Sequence, residues 1–418
     1  MKEYRKISEL DIEYNLINLK QLVFEVTDAC NLRCKYCGYA DLYERYDQRE
    51  NLKFPFQKAK LIIDYLYEYW KKKYCTDVND PFTISFYGGE PLLNVPFIQQ
   101  VIDYAESLNP IGKKIHYSMT TNAMLLDKYM NFLVEKKFRL LISLDGDKKG
   151  QSYRVDGKGR NSFDKVFANI QLLRSTYPAY FEHFVMFNSV LHNRNGVESI
   201  YHFIKDKFNK EPSISPLNDS GIRKDKVEEF YQTYQNMTTS IQKATNCEAL
   251  KKELFIKGPE TSMLLYYIHY QTGNVFDNYN DLLLGRTNLP YPPSGTCIPF
   301  SKKMFITVKG RILQCERIDH EFALGQITDK KVELDLKQAA QQHNDYIFHY
   351  VNQCKTCAVK QMCAQCVYQI DDIHDKTSIC HSYRSAKQQE KQKECCMDYL
   401  DKHPDLYNKI LKNVVVRG

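Results

Sequence analysis

No stretch of this 418-residue chain approaches the ~18 consecutive apolar residues that a membrane-spanning helix requires. Residues 1–14 are charged and lack the apolar core of a secretory signal. Charge of one sign is scarce as well: 58 basic residues against 51 acidic ones leave a formal +7, too mild to imply a nucleic-acid partner. Lys71, Lys72 and Lys73 form a short basic run that reads as a solvated helix end. Internal repeats and low-complexity tracts are missing. These absences exclude a membrane protein and a nucleic-acid binder, and lead us to expect a cytoplasmic globular chain. At ~100–200 residues per domain its length suggests two or three domains.

Cysteine is what the sequence has in quantity, with 14 in the chain and nine of them between Cys297 and Cys396. In a reducing compartment, grouped cysteines serve as metal ligands more often than as disulfides. Cys75 and Cys247 stand alone and read as inert residues, whereas Cys395 and Cys396 sit in a polar, helix-like tail.

The first two-thirds of the chain alternates strand-like and helix-like segments. Residues 22–27, 82–87, 115–119, 140–144, 184–190 and 213–216 are short and apolar or β-branched. Helical periodicity runs through 58–70, where Leu61, Ile62, Tyr65 and Leu66 share a face, and through 126–135, 163–173 and 197–208. Repeated strand–helix units predict a parallel α/β sheet with right-handed crossovers. Six such units make an open or partial barrel, with chemistry at the C-terminal ends of the strands. From about 224 to 296 the pattern is helical and reads as a bridge, and the proline-rich stretch 289–295 reads as a boundary. The cysteine-dense segment that follows would need metal to hold its fold.

Cys30-Asn-Leu-Arg-Cys34-Lys-Tyr-Cys37 directly follows the first predicted strand. Thiolates suit zinc, copper(I) or iron–sulfur clusters. A closed zinc site needs a fourth nearby ligand, which this loop lacks. An iron–sulfur cube held by three cysteines keeps one iron free to chelate an amino acid through its amino and carboxylate groups. Zinc remains the alternative.

This loop, with the aromatic Tyr36 before its last cysteine, resembles that of the radical SAM superfamily. The resemblance implies a partial (β/α)6 TIM-type barrel and a [4Fe–4S] cluster on Cys30, Cys34 and Cys37 that reduces S-adenosylmethionine (SAM) to a 5′-deoxyadenosyl radical. It implies that Tyr36 covers the cluster or touches adenine, and that Gly88, Gly89 and Glu90 receive the SAM amino group. It places Ser118, Asn122, Ser143 and Asp145 at polar strand ends beside SAM, and Arg154 on the SAM carboxylate through two parallel hydrogen bonds. Each residue also has a structural reading: a glycine turn, a helix start for Glu90, helix caps for Ser118 and Asn122, a turn at Asp145-Gly146, and an exposed loop arginine.

The later cysteines resemble the SPASM extension of radical SAM proteins, with two auxiliary [4Fe–4S] clusters, three clusters in all. By that resemblance Cys297, Cys315 and Cys366 hold the nearer cluster, and Cys354, Cys357, Cys363 and Cys380 the outer one. The nearer cluster then lacks a fourth cysteine, so its open iron binds substrate, or Cys395 or Cys396 completes it. Two residues, Ala364 and Gln365, stand where the family often has three. Zinc knuckles are the alternative reading of the CxxC pairs.

The expected organisation is an N-terminal extension (1–19), a barrel (20–223), a helical bridge (224–296), a SPASM domain (297–385) and a tail (386–418). SPASM-bearing relatives mainly modify peptides. The resemblance therefore implies a maturase that forms a thioether or carbon–carbon crosslink in a ribosomal precursor peptide, served by a low-potential donor such as flavodoxin or ferredoxin. A sulfatase-type maturase, which makes formylglycine from Cys or Ser, is the second reading, and a non-catalytic metal-binding protein the third. Glu316, after Cys315, occupies the place of a catalytic aspartate in sulfatase maturases; it is either a base or a carboxylate paired with a cation such as Arg317. Only 29 residues precede Cys30, too few for a winged-helix leader-binding module, so leader recognition is expected from the bridge, the tail or a separate protein.

Overall fold

The computed structural model describes residues 4–44, 47–71, 81–108, 113–271, 292–360 and 363–413. Lys72, Lys73, Cys75, much of the proline-rich boundary and the end of the tail lie outside them. The chain divides into two compact units, one comprising Ser8–Ala244 and Cys297–Ala340, the other Met1–Ile7, Thr245–Thr296 and Gln341–Gly418.

The first unit is built on a ten-stranded sheet. Its parallel part comprises β1 (Gln21–Glu25), β3 (Pro81–Tyr87), β4 (Lys114–Thr121), β5 (Arg139–Ser143), β7 (Val185–Leu191) and β8 (Ser213–Pro216), in that spatial order. These are the six strands that the apolar runs predict. The connecting helices α1 (Glu9–Ile17), α2 (Phe56–Trp70), α3 (Val95–Ser107), α4 (Leu126–Glu135), α5 (Phe163–Thr176), α6 (Pro178–Phe184) and α7 (Val197–Phe208) complete the α/β pattern of a partial TIM barrel. Helix α2 buries Ala59, Ile62, Ile63, Leu66 and Trp70. Its inward face is thus rotated from the predicted one, because Trp70 packs edge-on against Phe82 of β3 with ring centroids 4.5 Å apart.

A short antiparallel pair, β2 (Leu32–Cys34) with β6 (Arg154–Asp156), sits outside this sheet and sets Cys34 opposite Arg154. The chain returns to the sheet after Cys297. Strand β9 (Met304–Ile306) pairs in parallel with β1, and β10 (Arg311–Leu313), β11 (Gly325–Ile327) and β12 (Val332–Glu333) extend it antiparallel. The stretch expected to open the cysteine-rich domain therefore supplies four strands to the barrel's sheet. The three residues of β9 are all buried, which gives them reason to pair there.

The second unit contains the helices Cys247–Leu254, Pro259–Gln271, Leu336–His349 in its C-terminal part, Ala386–Lys402 and Pro404–Asn413. Cys396 is buried with Leu264, Ile268 and Ile410, while Cys395 is exposed. The N-terminal segment is held by Asn344, whose side chain accepts from Ile7 N at 3.0 Å and donates to Ile7 O at 2.8 Å. Next to it, His343 is buried and its Nδ1 has no partner among the described residues. Burial disfavours its charged form and lowers its pKa to about 4. The unfolded chain then binds the extra proton first as pH falls, so stability is lost from the ordinary histidine pKa downward. From about pH 7.5 to about pH 5.5 this residue removes on the order of 1 kcal/mol. His343→Leu is expected to flatten that part of the pH profile, measured by urea unfolding at both pH values; an unchanged profile would contradict it. No helix among the described residues is long and apolar enough to cross a membrane.

Candidate active site

A cavity of about 190 Å³ opens at the C-terminal ends of β1, β3, β4 and β5. Cys30, Cys34 and Cys37 line it together with Tyr36, Gly88, Gly89, Glu90, Asn122, Ser143, Arg154 and Glu316. Sequence reasoning named all of these. Burial raises the Cys30 thiol pKa and pushes that of Cys34 up to about 12, against the pull of Arg154. Leu32 N donates to Cys30 Sγ at 3.4 Å, and Cys37 N donates to Cys34 O at 3.2 Å, which closes the loop.

The glycines serve this loop's backbone directly. Gly89 N donates to Thr27 O at 2.8 Å and Glu90 N to Ala29 O at 2.9 Å. A Cβ on Gly89 would lie 2.0 Å from Ala29 O, and one on Gly88, at φ +137°, 2.3 Å from Thr27 O. No side chain fits at either position. Glu90 starts the short 3-10 turn Pro91–Asn94 by accepting from Leu92 N at 3.1 Å. It also accepts from Thr121 Oγ1 at 2.7 Å and Asn122 N at 2.8 Å, joining the ends of β3 and β4. Burial pushes its pKa up to about 7 despite these bonds from Asn122, Thr121 and Leu92. The Asn122 amide donates to Asn31 Oδ1 at 2.7 Å and reaches Cys30 Sγ at 3.7 Å.

Two predicted residues lie away from the lining. Ser118 sits within β4 with its hydroxyl 2.5 Å from Ser85 Oγ, and Thr120 and Thr121 occupy the cavity wall instead. Asp145 is fully buried. Its carboxylate accepts from Arg154 Nε at 2.8 Å, Arg154 Nη2 at 3.1 Å, Val190 N at 2.9 Å and the Tyr36 hydroxyl. Burial alone would raise the Asp145 pKa; Arg154, with His192 and Tyr36, holds it at about 2. Arg154 is therefore a buried residue engaged through two parallel bonds by a protein carboxylate. Tyr36 lies under the Arg154 guanidinium, 5.4 Å from its centre, and stacks on His192 at 5.6 Å.

Glu316 is paired with a cation, and that cation is Lys303, whose Nζ lies 3.0 Å and 3.1 Å from the two carboxylate oxygens. Arg317 instead turns its backbone N–H toward Cys315 Sγ, at 3.4 Å. Sequence reasoning missed Arg49, Tyr39 and Phe305, which also line the cavity; only the aromatic just after Cys37 offered any local signal.

No disulfide joins any of the described cysteines. In the second unit, Cys354, Cys357, Cys363 and Cys380 are electrostatic neighbours. Burial pushes the Cys354 pKa up to about 12, reinforced by Cys363, Cys380 and Cys357. Cys380 rises for the same first reason, with Cys363 and Cys357 adding to it. Cys366, in this unit, lies beside Tyr368. Cys297 and Cys315 belong to the barrel unit, where Gln314 Nε2 donates to Cys297 O at 3.1 Å.

Three thiols and glycine-backed polar strand ends surround one cavity of an α/β barrel. Residues 24–206 match the model of the Radical SAM superfamily. The chain is similar to the cysteine-type anaerobic sulfatase-maturating enzyme of Clostridium novyi, with 29% identity over 209 residues, 48% of this chain and 53% of that one. It is similar to the radical SAM cyclopropyl synthase TigE of Paramaledivibacter caminithermalis, with 27% identity over 236 residues, 56% of this chain and 46% of that one. The first of these alignments thus spans about half the length of the curated relative. A serine-type anaerobic sulfatase-maturating enzyme of Klebsiella aerogenes aligns more widely, at 23% identity over 82% of this chain and 78% of that one. The solved structure of native anSMEcpe with bound AdoMet has the same fold, with a TM-score of 0.57 at 20% identity, covering 95% of this chain and all of that one.

The residues fit the cluster and SAM that this superfamily implies. Three soft donors line one cavity, and the glycine turn leaves no side chain between the cysteine loop and β3.

Proposed function

We propose that this chain is a radical SAM peptide maturase that oxidatively crosslinks a residue of a precursor peptide. The observation that carries the reading is the presence of Cys30, Cys34, Cys37 and Glu316 on one cavity wall system. A bound [4Fe–4S] cluster and SAM would supply a 5′-deoxyadenosyl radical able to take hydrogen from an unactivated C–H bond. Cys30, Cys34 and Cys37 hold the cluster. The ends of β3, β4 and β5, through Gly89, Asn122 and Ser143, bind SAM, and Tyr36 and Arg154 form the facing wall. Glu316 takes the substrate proton on its carboxylate, with Lys303 holding that carboxylate in place.

The later cysteines would form a SPASM pair of auxiliary clusters. Cys354, Cys357, Cys363 and Cys380 serve the outer one; their mutual electrostatic proximity supports this grouping. Cys297 and Cys315, in the barrel unit, would serve the nearer one. The peptide, a flavodoxin- or ferredoxin-type donor and a separate leader-binding protein would be the partners. Formylglycine formation is a second reading, favoured by the long alignment with the serine-type enzyme.

Mass spectrometry of peptides encoded beside the gene, after incubation with enzyme, SAM and reductant, separates the two. A crosslink removes two hydrogens and ties two residues together, so that backbone fragments between them are missing; formylglycine leaves a single residue with an aldehyde that a hydrazide probe labels, with sulfur lost from cysteine or two hydrogens from serine; an unmodified peptide despite SAM turnover would overturn both. Glu316→Gln is expected to lower peptide product at least ~100-fold, the usual contribution of a general base, while 5′-deoxyadenosine still forms. Unchanged product yield would remove the base role.

A further inference from the structure

The charged groups lining the cavity are engaged by protein partners, with one difference among them. Arg154 is held by Asp145, Glu90 accepts three donors, and Glu316 is paired with Lys303. Arg49 has no carboxylate partner among the described residues. Its near neighbours are already taken: Asp47 by His320 and Arg311, at 3.1 Å and 3.5 Å, and Glu50 by Lys309 at 2.6 Å. Arg49 instead directs Nη2 at Cys37 Sγ, at 3.2 Å, and its buried Nε has no partner.

The guanidinium is also held in place. It lies 4.7 Å from the centre of the Tyr39 ring. The Tyr39 hydroxyl donates to the buried Glu25 carboxylate, which also accepts from Val308 N at 2.8 Å. Arg49 therefore rests on an aromatic plate anchored at the end of β1 and just past β9, a geometry that favours a fixed cation.

We propose that Arg49, through its hydrogen bond to the Cys37 sulfur, sets the reduction potential of the cluster held by Cys30, Cys34 and Cys37. The inference rests on the radical SAM reading above. Cluster potential depends on net charge and on hydrogen bonds to the sulfurs. A cation that donates to a ligand sulfur stabilises the reduced form, which carries one more negative charge. The electron comes from the external low-potential donor, and no bond is made or broken. Arg49 touches a ligand and not the reacting atoms, so it is a positioning residue.

The test is an anaerobic redox titration of the full-length, cluster-loaded protein with dithionite and mediators. Electron paramagnetic resonance follows the signal that changes when SAM is added. Arg49→Gln should shift its midpoint to more negative potential, by about 59 mV for a tenfold change in a one-electron equilibrium. Arg49→Lys, which keeps charge but loses the fork, should fall between that variant and wild type. A midpoint equal to wild type in Arg49→Gln, with iron content and SAM response intact, would overturn the proposal. If Arg49→Gln does not retain iron, Arg49→Lys decides: a negative shift supports the role and no shift overturns it. A wild-type protein with no SAM-responsive signal would remove the underlying reading and the inference with it; an unshifted but SAM-responsive variant removes the inference alone.

Discussion

Cys34→Ala protein, purified anaerobically and reduced in the presence of SAM, is expected to form at least about a thousandfold less 5′-deoxyadenosine than wild type, equivalent to about 4 kcal/mol at the transition state. Cys34 ends β2, opposite Arg154, and its thiol is forced by burial to a pKa of about 12. A thiolate is costly at such a position unless a cation or metal compensates it. Replacing it with alanine removes one of the three thiols that line the cavity. Iron content of the variant, measured with the turnover, should fall too. Turnover at the wild-type rate would contradict the assignment of this loop as the SAM-cluster site.

The second large effect concerns the buried pair behind the cavity. Asp145→Asn should destabilise the barrel unit by about 3–5 kcal/mol, the usual cost of leaving a buried charge without its partner. Arg154 and Asp145 have side chains only 8% and 0% exposed, so water cannot replace the lost carboxylate. The carboxylate also orders the Tyr36 hydroxyl and Val190 N, which the amide would serve less well. A double variant, Asp145→Leu with Arg154→Leu, should recover part of the loss because no uncompensated charge remains. Urea unfolding of the two variants checks this. Equal stability of Asp145→Asn and wild type would show that Arg154 finds compensation elsewhere. The sign with pH follows from the low pKa of Asp145, about 2: its contribution is present above the ordinary carboxylate pKa and is lost progressively as pH falls from there through about 2.

Much of the barrel was legible in the sequence because its signals are local. Helices α4 and α7 span the residues their periodicity marks, and all six parallel strands lie where apolar or β-branched runs predict them. The short strands β9–β12 were not legible. Segments of two or three residues carry no readable alternation, and the pairing of β9 with β1 joins positions far apart in the chain. The same limit applies to the site. The cysteine loop and Gly88-Gly89-Glu90 are contiguous motifs, and the structure brings them together. The partners that define their electrostatics are distant: Arg154 meets Asp145 across the turn before β6, Glu316 meets Lys303 and not its neighbour Arg317, and Arg49 reaches Cys37 from twelve residues on. Spacing identifies which groups carry chemistry, whereas the partners that hold them are set by the fold.

The central claim is that Cys30, Cys34 and Cys37 hold an iron–sulfur cluster with one site left for SAM. Iron, acid-labile sulfide and zinc, counted together on anaerobically purified protein, test it most directly. Iron and sulfide are expected in equal amounts, about twelve of each for three clusters, with zinc at trace level. Stoichiometric zinc without sulfide would contradict it.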